Sequence, residues 1–137
     1  MASYRDGRPD RVTVLLDANA LMAQVQFRID IFAELTQCIG AYVPVLLDCV
    51  RDELRGLAVS HGREGSSARS ALLLAERCTI VEISACDGSV DEKILYYAST
   101  HGCMVFTNDR DLRTTLLAQG VPVISLAGKQ RLEVYRN

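Results

Sequence analysis

Ser89 to Leu112 reads SVDEKILYYASTHGCMVFTNDRDL. The stretch has the pattern of a helix, a strand and the start of a second helix, with acids at two of the junctions. Ser89 and Glu92 stand at the spacing of a capping box, so a helix is expected from about Val90. Ile94, Leu95 and Ala98 give that helix an apolar stripe, and Gly102 ends it. Cys103 to Thr107 is a short apolar run, as expected of a strand covered on both faces. Asn108, Asp109 and Asp111 then crowd its carboxyl end, where the next helix begins. In open α/β sheets, ligands and chemistry gather at that edge. The decisive question is which other acids reach it.

Upstream, Val12 to Leu16 is a β-rich apolar run that ends abruptly on Asp17-Ala18-Asn19. A helix N-cap would explain Asp17 as well as a site acid would. Leu21 to Phe27 reads as a short helix or turn. A firmer helix is expected from Arg28 to Ile39, on Ile31, Phe32, Leu35 and Ile39, with Gly40 as its stop. Tyr42 to Leu47 is the second strand, and Pro44 argues against a central ladder position unless it lies near the start. Asp48 is placed to cap the following helix, which carries Glu53 within its first two turns. A solvated helix glutamate is the plainer reading of Glu53.

Residues 60–70, SHGREGSSARS, are expected to form a mobile loop. Arg63 and Arg69, with Arg55 nearby, could touch phosphates there or simply face water. His61 is a weak metal candidate. A short helix from Arg69 to Arg77, a third strand from Thr79 to Ser84 and a loop from Ala85 to Gly88 complete the approach to Ser89. Downstream, Leu112, Leu116 and Leu117 mark a helix closed by Gly120, and Val121 to Ser125 is a fifth strand. The polar tail from Gly128 docks through Leu132 and Val134 at most, and residues 1–11 form a loose leader broken by Gly7 and Pro9. Five strands alternating with helices imply a parallel α/β three-layer sandwich with right-handed crossovers.

With 137 residues, 49% of them hydrophobic, the chain suits one domain with a sizeable core. Its 15 basic and 17 acidic residues leave a net charge of −2, which argues against a general nucleic-acid coat but not against a local basic patch. Lys93 and Lys129 are the only lysines; arginines supply the remaining positive charge and suit bidentate phosphate contacts. The five cysteines are odd in number and form no Cys-x-x-Cys, as expected of reduced thiols in a cytoplasmic protein. The N-terminus lacks the pattern of a signal peptide, and no apolar run approaches the roughly 18 residues of a membrane helix.

By topology alone, Asp17, Glu53 and Asp109 converge at one edge; Asp91 joins them if the start of its helix folds back over it. Carboxylates so gathered repel and titrate upward unless a cation holds them. Hard oxygen donors suit Mg²⁺ or Mn²⁺, and a metal-bound water beside a phosphodiester points to hydrolysis. Other phosphate chemistries lack their patterns: the chain has no P-loop, dinucleotide fingerprint or nucleophile elbow.

LLDANAL after the first strand, VRDEL after the second, Asp91-Glu92-Lys93-Ile94 and VFTNDRDL occur in this order and spacing. On these pieces the chain resembles the PIN-domain ribonucleases from about Val12 to Leu126. Leu15 to Leu35 looks most like the small-subunit rRNA-processing branch and its archaeal single-domain relatives, with toxin-type PIN proteins second. The resemblance implies sheet order 3-2-1-4-5 and a Mg²⁺- or Mn²⁺-dependent endonuclease acting on RNA, single-stranded or structured. Its four acids correspond to Asp17, Glu53, Asp91 and Asp109. Asp111 corresponds to an extra carboxylate or helix cap, and Asn19 and Thr107 to residues that orient the acids. Arg55, Arg63, Arg69, Arg110 and Arg113 are the candidates for steering RNA. The family also implies a homodimer, with an antitoxin or a ribosome-assembly protein as a further partner; a scaffold that binds RNA without cutting is the other alternative.

Overall fold

The computed structural model describes residues 11–83, 87–128 and 130–137. The leader, apart from Arg11, therefore lies outside the described residues, as do Cys86, Lys129 and the start of the loop before Gly88. The strands are β1 (Val12–Leu16), β2 (Tyr42–Leu47), β3 (Thr79–Val81), β4 (Met104–Phe106), β5 (Val123–Ala127) and β6 (Arg131–Tyr135). The helices are α1 (Ala18–Gln26), α2 (Ile31–Ile39), α3 (Asp48–Ala58), α4 (Gly62–Ala75), α5 (Val90–His101) and α6 (Arg110–Ala118). The strands form one sheet in the order β3-β2-β1-β4-β5-β6.

The first five strands are parallel in the expected order, and β6 pairs antiparallel with β5 from Val123↔Tyr135 to Ala127↔Arg131. This sixth strand corrects the five-strand expectation. Leu132 is buried between exposed Arg131 and Glu133, the alternation of an edge strand with one covered face rather than of the buried parallel strands. Gly128, at φ +72, supplies the left-handed backbone at the turn into it. Pro44 sits in β2 without breaking the sheet because β3 pairs only from Val45 onward.

The chain steps from β1 to β2 to β3 in one direction, then returns past β1 for β4 and β5. Right-handed connections consequently place α1 to α4 on one face and α5 and α6 on the other. On the first face α4 packs against α3 and α1, and on the second α5 meets α6. One apolar cluster runs through both layers, with Leu15, Leu46, Phe106 and Ile124 fully buried. Burying each such side chain contributes about 1.5–3 kcal/mol before the loss of conformational entropy is counted.

Four local expectations change. Residues 62–70 are the first turns of α4, not a loop. Gly65, Ser67, Ala68, Ala71 and Ala75 form its buried side, where small residues let neighbouring helices approach. A Cβ on Gly65 would stand 1.8 Å from the Ser60 carbonyl oxygen, so glycine here serves a close contact rather than motion. α1 begins at Ala18, directly after Asp17, which caps it. α2 begins at Ile31 behind an Asp30 cap, because Arg28 adopts φ +53 and breaks the helical path. Finally, β3 ends at Val81, and Ser84 lies outside the described residues. Cys38, Cys49, Cys78 and Cys103 are free thiols, and among the described residues no helix is long and apolar enough to cross a membrane.

Candidate active site

The strand order reverses between β1 and β4, and an open α/β sheet has a crevice at the carboxyl ends of such a pair. Asp17 leaves β1 there, only 6% exposed. Its Oδ1 accepts from the Ala18 N–H at 2.8 Å, and its Oδ2 accepts from the Thr107 hydroxyl at 2.7 Å and the Asn19 amide at 3.2 Å. Asp17 thus caps α1 and is fixed in the crevice by the same set of bonds.

Across the crevice, Thr107 directly follows β4, fully buried, and its Oγ1 also accepts from the Asp109 N–H at 3.1 Å. Asn19 Oδ1 accepts from the Asn108 N–H at 2.9 Å, and Asn108 Oδ1 accepts from the Leu126 N–H at 2.9 Å. Ser125 donates to the Thr107 carbonyl at 2.5 Å. The ends of β1, β4 and β5 are therefore tied by side chains that continue the ladder where the strands stop. Asp109 caps α6, its Oδ1 accepting from the N–H groups of Asp111 and Leu112 at 2.9 and 3.1 Å.

The capping box of α5 is present: Ser89 Oγ accepts from the Glu92 N–H at 3.1 Å, and Glu92 Oε1 accepts from the Ser89 N–H at 2.9 Å. It fixes the helix start that carries Asp91. Asp48 is the first residue of α3 and does not cap it; the cap position is Leu47. Instead the buried Asp48 Oδ1 accepts from the Ile83 N–H at 3.0 Å, holding the chain just after β3.

The charges show that these acids share one field. Burial pushes the Asp17 carboxyl above its ordinary range, the Thr107 and Ala18 bonds oppose this, and the charges of Asp91 and Asp109 add to it. Glu53 is raised by burial and then by Asp17 and Asp91. Asp91 is raised by burial and then by Asp109. The start of α5 also lies beside the start of α6, since Asp91 and Asp111 line one cavity. Glu53 and Asp91 remain at an exposed rim, where water screens much of the repulsion. Asp111 lines a cavity of about 220 Å³ with Asp91, Glu92, Leu95, Leu112 and Thr115.

Among the described residues, no three of the acidic, histidine or cysteine side chains close on one point as a finished metal cage. The mutual repulsion and the missing cage point different ways, and an open site reconciles them. Oxygen donors around a cleft that disfavours further negative charge fit Mg²⁺ or Mn²⁺, which keep several waters and need few protein ligands.

Of the arginines, Arg63 is exposed on α4, while Arg69 Nη1 donates to the Ala58 and Ser60 carbonyls at 2.7 and 3.2 Å. Arg113 lies over the Tyr135 ring at 4.5 Å, and Arg55 is 3.6 Å from Asp52. Arg110 is exposed at the start of α6. His61 is an exposed residue preceding α4. Sequence reasoning placed Asn108 at the strand end without its linking role, and missed Ser125 and Asp48's bond to Ile83. A polar residue ending an apolar strand was the available signal for Ser125, whereas the Asp48 bond spans 35 positions and has no local signature.

Residues 14–129 match the family described as PIN like domain. The chain is 30% identical to ribonuclease VapC9 of Archaeoglobus fulgidus, over 93% of its own length and 93% of that relative's. It is 31% identical to the rRNA-processing protein fcf1 of Schizosaccharomyces pombe, over 88% of its own length but 62% of that protein's. The solved PIN domain endonuclease Utp24 superposes with a TM-score of 0.79 at 28% identity, covering 93% of this chain and 94% of that one. The chain belongs to the PIN-domain family.

Proposed function

We propose that this chain is a divalent-metal-dependent endoribonuclease that hydrolyses phosphodiester bonds of single-stranded or structured RNA. The observation that carries this reading is the gathering of acids at the β1/β4 crevice, where the Thr107 hydroxyl joins Asp17 to the Asp109 N–H and Asp17, Glu53 and Asp91 each feel the charge of another acid of the four. Asp17, Asp91 and Asp109 would hold Mg²⁺ or Mn²⁺, with Glu53 and Asp111 beside them. When bound, such an ion neutralises charge on the scissile phosphate and activates water. Thr107 and Asn19 keep Asp17 in one orientation, and the α6 cap does the same for Asp109. Glu53, raised by burial and then by Asp17 and Asp91, is suited to orient water and take up its proton. Arg55, Arg63, Arg110 and Arg113 supply cations to an RNA strand at the rim, whereas Arg69 already holds carbonyls of the fold.

The relatives named for ribonuclease activity and rRNA processing support this reading, and rRNA is the substrate class it favours, in a cytoplasmic single-domain protein that pairs as a homodimer with a ribosome-assembly partner. A toxin ribonuclease held by an antitoxin is the second reading, supported by the near-equal span shared with VapC9. Cleavage of a panel of structured RNAs with Mn²⁺ tests the proposal, beside Asp17→Asn and Asp109→Asn. Parental cleavage that both variants lose is the expected result; amide variants that cut at the parental rate would place the chemistry elsewhere.

A further inference from the structure

A cavity of about 340 Å³ is lined by Arg51, Arg55, Leu72, Ala75, Glu76 and Ile80, between α3, α4 and the edge strand β3. Arg51 and Arg55 stand one turn apart on α3, each two positions from Glu53 and hence about 200° round the helix from it. The arginines therefore serve one flank of α3 while Glu53 faces the field of Asp17 and Asp91 on the other. The Nε of Arg51 is shut off from solvent and has no acceptor. Among the described residues none forms an ion pair with Arg51, whereas exposed Arg55 is held loosely by Asp52 at 3.6 Å. A buried donor without an acceptor is costly and calls for an explanation.

We propose that this cavity anchors one nucleotide of the RNA strand away from the scissile bond. The inference rests on the endoribonuclease reading. A guanidinium is a planar fork that matches phosphate oxygens, and a phosphate in the cavity would draw the Arg51 side chain out of its sealed position, so that the orphaned Nε gains an acceptor. Leu72 and Ile80 offer an apolar wall for the base, and the Glu76 carboxylate is an acceptor beside it. The Watson–Crick edge of guanine presents two N–H donors to one carboxylate, so the anchor prefers guanine over adenine. A helix with its side chains is roughly 10–12 Å across, a distance that a few nucleotides span. One strand can thus lie over α3 and reach both flanks.

The test follows the Leu72 and Ile80 methyl resonances of the metal-free chain during titration with guanosine and adenosine 5′-monophosphates, inorganic phosphate and acetate. Guanosine monophosphate should shift both methyls more strongly than adenosine monophosphate, and Arg51→Met should weaken its binding by about tenfold, as expected for one lost charge-assisted hydrogen bond. Arg51→Met should melt no lower than the parent, because it removes an unpaired buried donor; a large loss of stability with unchanged nucleotide binding would assign Arg51 to the fold alone and overturn the anchor. Acetate binding as tightly as the nucleotide would also overturn it, in favour of a protein carboxylate. RNA cleavage by a chain whose cavity ignores nucleotides sinks the anchor alone. Nucleotide binding by a chain that cuts no RNA sinks the endoribonuclease reading alone.

Discussion

Asp17 is a carboxylate held where carboxylates are disfavoured, and Thr107 is what makes that tolerable. One hydroxyl donates to Asp17 Oδ2 and accepts from the Asp109 N–H, so it couples two acids carried by different strands. Thr107→Val should destabilise the protein by about 1–3 kcal/mol, because a fully buried site loses both bonds; urea unfolding measures this. The variant should also cut RNA more slowly, since Asp17 loses its orientation. The acids set the pH dependence. Asp17, Glu53 and Asp91 are all raised, so the folded chain binds protons more tightly than the unfolded one. The stability of the metal-free protein should therefore fall as pH rises from the ordinary Asp value of 3.8 through the raised folded values, with the penalty complete above them. Asp91 is the cleanest probe, because the hydrogen bonds that hold Asp17 do not involve it. Metal-free Asp91→Asn should melt above the parent at pH 7, with a smaller difference at pH 4. A lower melting temperature at pH 7 would show that repulsion at the crevice is negligible.

At the scale of elements, α4 shows how composition can mislead. Gly62, Gly65, Ser66 and Ser67 read locally as breakers, yet the structure uses the small residues of this segment where helices must come close. Gly65 meets the Ser60 carbonyl, and Arg69 reaches back to the Ala58 and Ser60 carbonyls left open at the end of α3. Neither contact has a sequence signature, because each depends on how two helices are arranged. Gly65→Ala should accordingly lower the melting temperature far more than the usual gain from replacing a helical glycine would suggest. Arg69→Ala should cost about 1 kcal/mol and leave the salt dependence of RNA binding unchanged. A salt slope flattened by 0.7 or more would return Arg69 to the RNA. β6 was hidden for a different reason. Its apolar positions are few, because an edge strand with one exposed face needs only alternate residues buried.

For the whole molecule, the parallel sheet was legible because buried strands are near-continuous apolar runs. Asp17, Asp91 and Asp109 stood out as candidates because each follows such a run or opens a helix, whereas Glu53, inside α3, read as plainly as a solvated glutamate. What the sequence could not supply was where the start of α5 lies relative to α6, since its capping box fixes where the helix begins but not what it stands beside. The resulting crevice draws its four acids from four separate places: the end of β1, α3, the start of α5 and the start of α6. A cation shared among them would tie those elements together in the folded state and find no such site in the unfolded chain. Ligand at a hundred times its dissociation constant stabilises by about 2.7 kcal/mol, and in a chain of this size each kcal/mol raises the melting temperature by roughly 2–8 °C. Adding Mn²⁺ or Mg²⁺ should therefore raise the melting temperature of the parent by several degrees, reversibly with a chelator. Asp17→Asn and Asp109→Asn should each lose most of that rise while remaining folded without metal. A parent unmoved by millimolar Mn²⁺ and Mg²⁺, or amide variants stabilised as much as the parent, would mean that the acids do not share an ion.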